Sequence, residues 1–62
     1  MEKVSVQLEL DETQALALAQ FVKRVTWSEM RACAVDDDEA YLIRAAVDQV
    51  ARALADKGYD PR

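Results

Sequence analysis

The sequence contains no histidine and a single cysteine, Cys33. Without the imidazole that most often serves as general acid or base, and with no nucleophile beside an evident base, the chain is expected to be non-enzymatic. One thiol cannot close a disulfide within the chain, and one thiol without histidine leaves a structural zinc site short of its usual ligands. No cofactor or metal is expected. Glycine and proline occur once each, as Gly58 and Pro61, so no glycine-rich phosphate loop is present. Hydrophobic residues make up 52% and charged residues 32%, the composition of a folded and mostly helical domain. No hydrophobic run approaches the length of a membrane span, and Met1, Glu2 and Lys3 lead straight into the chain without the charged and apolar regions of a secretory signal. A reducing, cytoplasmic setting is expected.

What is plentiful is acid. Twelve acids against eight bases give a net charge of −4, and the excess is concentrated in the run Asp36, Asp37, Asp38, Glu39. Nucleic-acid binding draws much of its affinity from Lys and Arg neutralising phosphates, so DNA is disfavoured as a partner. A basic protein surface is favoured.

At 62 residues the chain is one small domain, 1–62, in the range where a lone core supplies only about 3–5 kcal/mol and further support is common. Oligomerisation is the support the pattern suggests. Val4, Val6, Leu8 and Leu10 alternate with Lys3, Ser5, Gln7 and Glu9, which predicts a strand over about 3–10 with one apolar and one polar face. No second such run exists, so its backbone groups need a partner from another chain. The expected fold is α+β: one N-terminal strand and two main helices, with the strand paired between chains in a homodimer whose interface includes Val4, Val6, Leu8 and Leu16.

The first helix is expected over about 11–25, with Asp11 as cap and Gln14 completing a capping box. Leu18, Phe21, Val22 and Val25 cluster with Ala15 on one side, a stripe expected to cover the strand. Leu16 lies nearly opposite, either as a stray exposed leucine or as a second contact surface for self-association. Residues 26–35 are expected to form a loop or short helical turn after a break near Thr26. The second main helix is expected over about 37–57, started by the acidic run and stopped by Gly58. Its apolar arc holds Ile43, Val47, Val50 and Leu54, flanked by Leu42 and several alanines. Arg44, Asp48, Arg52 and Asp56 form a solvated ladder of alternating charge on the other side.

The acidic run reads first as helix capping and second as a protein-facing patch; four adjacent carboxylates without a glycine do not match a calcium loop. Tyr41, one turn on, reads first as a tyrosine lying over its own helix with its hydroxyl in water, and second as extending Asp37 and Asp38 into a surface that a basic protein could meet. Trp27 reads as a core plug under the loop, with a partner-binding anchor as the alternative.

The order strand, helix, helix resembles the ribbon-helix-helix DNA-binding fold over about residues 3–25. That resemblance implies a transcriptional regulator reading DNA through Ser5, Gln7 and Lys3, with Glu9, the acidic charge and the long segment between helices as departures. The run Gln14 to Val25, with Asp38-Glu39-Ala40-Tyr41 and the ending Gly58 to Arg62, is similar to a family of short uncharacterised proteins from bacteria and their prophages. This second resemblance spans nearly the whole chain and implies a phage or mobile-element setting. By analogy with anti-CRISPR proteins of such settings, it implies an inhibitor of a host defence protein. The leading expectation is a small acidic binding protein that occupies a basic host surface with Asp36, Asp37, Asp38 and Glu39, aided by Tyr41 or Trp27. The alternatives are the DNA-binding regulator and a structural or assembly subunit.

Overall fold

The computed structural model describes residues 2–60. An extended arm, residues 2–10, precedes three helices: α1 (Glu12–Arg24), α2 (Trp27–Ala32) and α3 (Asp37–Asp56). Each helix starts at a side chain that satisfies free backbone donors. In α1 the Gln14 amide donates to Asp11 Oδ1 at 2.7 Å while the Asp11 amide donates to Gln14 Oε1 at 3.1 Å, a complete capping box. A second box opens α2: the Glu29 amide donates to Thr26 Oγ1 at 3.2 Å and the Thr26 amide donates to Glu29 Oε1 at 2.9 Å. That box also explains the end of α1. Val25 and Thr26 are β-branched, both take extended backbone angles, and Thr26 gains more as a cap than as an interior helical residue.

Asp36 caps α3 by accepting from the Glu39 amide at 2.8 Å. The far end closes in a Schellman motif. The Tyr59 amide donates to the Leu54 carbonyl and the Gly58 amide to the Ala55 carbonyl, both at 2.9 Å, with Gly58 at φ +95°. A side chain at that φ is strained, which is why glycine stands there.

α3 is the common support. Both α1 and α2 pack on it, and they do not pack on each other. The contacts close over small side chains: Ala15 and Ala19 from α1 and Ala40 from α3 are the buried residues, and Ala40 is fully buried. The larger apolar residues facing this seam, among them Leu18, Val22, Ile43, Val47 and Leu54, are half-buried. Phe21 stays 59% exposed, off the stripe it was expected to join. The chain is correspondingly open. Its radius of gyration is 12.5 Å, where a compact domain of this length has about 10.6 Å. Its accessible surface is 5541 Å², where a folded monomer of this mass has about 4,000 Å². No helix among the described residues is long and apolar enough to cross a membrane.

The expected α+β class is overturned. The described residues contain three helices and no strand, so a strand over 3–10 paired between chains does not describe this fold. The backbone of residues 2–10 hydrogen-bonds to no other described residue. Alternating hydrophobicity sets only the side-chain pattern of a strand; the strand itself is the ladder, and the ladder has no second rail here. The helices do not cover the apolar side of the arm either: Val4 and Val6 remain about four-fifths exposed, and Leu8 and Leu10 are also exposed. The ribbon-helix-helix resemblance, which needed that strand, loses its structural footing.

Two substitutions check this packing. Ala40→Leu forces a large side chain into a fully closed position and is expected to cost about 1–3 kcal/mol, whereas Ala45→Leu on the exposed side of α3 is expected to stay within about 0.5 kcal/mol. Gly58→Ala meets no atom within 4 Å, so its expected loss of about 1 kcal/mol is backbone strain alone. Urea unfolding followed by circular dichroism reads all three.

Candidate functional site

The short helix α2 has six residues, too few to persist in water unaided. Its anchors build the surface around the start of α3. Trp27, in the first turn of α2, is half-buried, and its ring lies against that of Tyr41 with centroids 4.6 Å apart and planes inclined by 42°. Such aromatic contacts contribute about 0.5–1.5 kcal/mol beyond area burial. At the other end of α2, Arg31 Nε donates to Asp37 Oδ1 at 2.5 Å and Arg31 Nη1 donates to the Ala34 carbonyl at 3.2 Å. Both ion-pair side chains are substantially exposed, so the pair's value is as a clip on the α2–α3 link more than as stability.

The four carboxylates of the acidic run go to different tasks. Asp36 caps α3; Asp37 holds Arg31; Glu39 Oε1 accepts from the Val35 amide at 3.2 Å and fastens the chain just ahead of the helix. Asp38 alone of the four makes no hydrogen bond or ion pair with another described residue. The four do not converge, and no three metal-ligating side chains gather among the described residues.

Asp38, Tyr41 and Leu42 stand three and four residues apart and so share one side of the first two turns of α3. Val35 lies immediately before the cap. Val35, Tyr41 and Leu42 are 80%, 60% and 69% exposed. The result is a small apolar surface at the positive end of a helix, edged by Asp37 and Asp38. Sequence reasoning placed Asp38 and Tyr41 here but not Val35 or Leu42. Leu42, expected beside the packed arc, lies roughly 100° from the arc's centre at 100° per residue; that angle is the available signal.

The residues expected at a homodimer interface fall on two parts of the chain. Val4, Val6 and Leu8 lie along the arm, and Leu16, 45% exposed, lies on α1. A wide hollow of about 350 Å³ opens between α1 and α2, with Ala17, Phe21, Val25 and Glu29 in its wall. A smaller one of about 180 Å³ lies where Tyr59 turns back toward Ala19 and Val22. Cys33 is exposed in the turn after α2.

The sequence matches a family of unknown function, DUF7706, over residues 1–62. The chain belongs to DUF7706. No curated protein and no solved structure matches it. Membership in DUF7706 carries no activity with it, so function is argued from the surfaces just described.

The division of labour among the acids is directly measurable. Asp36→Ala removes the cap of α3 and is expected to lower stability by about 1 kcal/mol, while Asp38→Ala is expected to change it by less than about 0.5 kcal/mol. Comparable losses from both, in urea unfolding, would place Asp38 in the fold's own framework and not on a free surface.

Proposed function

We propose that this chain is a non-enzymatic binding protein that recognises a basic protein surface through the start of α3. The observation that carries the reading is the exposed set Val35, Tyr41 and Leu42 beside the unpaired carboxylate of Asp38. Apolar patches rimmed by charge are a common form of protein contact surface. Tyr41 supplies a broad amphipathic contact and Trp27 braces it from behind, so the ring is already placed before a partner arrives. The chain's net charge of −4 draws a basic partner by long-range attraction. Asp37 contributes to that field while clipped to Arg31, and Asp36 and Glu39 serve it chiefly by keeping the helix start in place.

In the phage or mobile-element setting that the sequence resemblance implies, such a partner would be a host protein whose basic surface handles nucleic acid. Occupying that surface would inhibit it. This finer reading rests on analogy of setting, whereas the acidic and apolar surface rests on named residues.

The test is calorimetric titration of the partner, once captured on the immobilised chain and purified, against wild type, Asp38→Asn and Leu42→Ser. Each variant is expected to bind about tenfold more weakly, a loss of about 1.4 kcal/mol. The Asp38→Asn complex is also expected to lose part of its salt dependence. Unchanged affinity in both variants would remove this face from the mechanism.

A further inference from the structure

We propose that two copies of this chain form a homodimer by exchanging arms, the apolar side of residues 4–10 of one copy lying against the outer face of α1 of the other. The proposal concerns a different surface from the start of α3 and does not depend on it.

The first ground is area. The chain's 5541 Å² of accessible surface exceeds that of a folded monomer of its mass by about 1,500 Å². A two-fold association covering that excess on both copies buries about 3,000 Å² in total, within the range of obligate homodimers. Exposed apolar side chains contribute to it, among them Val4, Val6, Leu8 and Leu10 on the arm and Leu16 and Phe21 on α1.

The second ground is that the arm and its seat are both present in one chain and do not meet there. In one chain Val4, Val6 and Leu8 on the arm and Leu16 and Phe21 on α1 all remain exposed. A second copy supplies a seat for each arm and an arm for each seat, and a two-fold arrangement closes both at once.

The third ground is fit. The outer face of α1 carries Thr13, Ala17, Gln20 and Arg24 in a row, with Leu16 to one side and Phe21 to the other, so small Ala17 lies in a trough between two exposed apolar side chains. The hollow beside Phe21 extends that trough toward α2. From Val4 to Leu10 an extended chain spans about 20 Å, and the 13 residues of α1 also span about 20 Å. The last turn of α1 carries Lys23 and Arg24. The arm, with Glu2 and Glu9 against Lys3, has a net charge of −1 over residues 2–10, opposite in sign to that turn and acting at long range, since Glu9 lies on the arm's polar side. Engagement is through side chains on one side of the arm, and its polar side stays in water.

Sedimentation equilibrium at low micromolar concentration is expected to give twice the 7.0 kDa mass of one chain. Val6→Asp with Leu8→Asp is expected to raise the dimer dissociation constant about 100-fold, while Leu8→Met leaves it unchanged. Because the charged double variant could fail to fold without its partner, a second measurement uses the wild-type chain. In a mixture of differently isotope-labelled copies, intermolecular proton contacts are expected between the Val6 and Leu8 methyls and the Phe21 ring. A monomeric mass overturns the proposal. So does a dimer whose intermolecular contacts join only arm to arm or helix to helix, or one that survives the double substitution intact.

Discussion

The size of the side chains at the seam sets the terms for the whole molecule. The buried residues are Ala15 and Ala19 of α1 and Ala40 of α3, while α2 contributes none. Alanine lets helices approach closely, but a side chain of one methyl removes little apolar area from water. The larger residues around the seam, Leu18, Val22, Ile43, Val47 and Leu54, are covered on one side and open on the other. The openness of the chain, the uncovered arm and the exposed Phe21 all follow from a contact that is close but thin.

Local hydrogen bonding compensates in part for that thin contact. Asp11 with Gln14 and Thr26 with Glu29 form reciprocal boxes, Asp36 caps α3, and Gly58 closes it. Carboxylates are used sparingly for anything else: three of the four in the run from Asp36 to Glu39 are occupied within a few residues of themselves. An acidic cluster that looks like a partner surface in the sequence is, in three dimensions, mostly the fastening between two helices. What the fold leaves unoccupied there is narrower and more apolar than charge counting suggests.

The features that could be read from the sequence are those encoded within three or four residues. The Asp11 and Gln14 spacing, the acid before α3 and the Gly58 stop are such signals, because caps depend on neighbours in the chain. Alternation from Val4 to Leu10 was just as clear and misled, since pairing is not a property of the segment that carries the pattern. The meeting of Trp27 with Tyr41 lies between these cases. Each residue stood out by type, but their contact depends on how α2 folds back on α3, which no local spacing records. Phe21 and Leu42 failed for a simpler reason: each sits at the margin of a helical stripe, where a few tens of degrees decide between packed and bare.

The lack of packing between α1 and α2 has a dynamic consequence. Because each leans only on α3, either can separate without loosening the other, and α2, with six residues and no buried side chain, is the helix with least to hold it. Its release would free Arg31 from Asp37 and Trp27 from Tyr41 together, while the α1–α3 pair stayed intact. The start of α3 is thus bordered by the least anchored helix of the fold, so the exposure of Tyr41 and Asp37 depends on α2 staying in place.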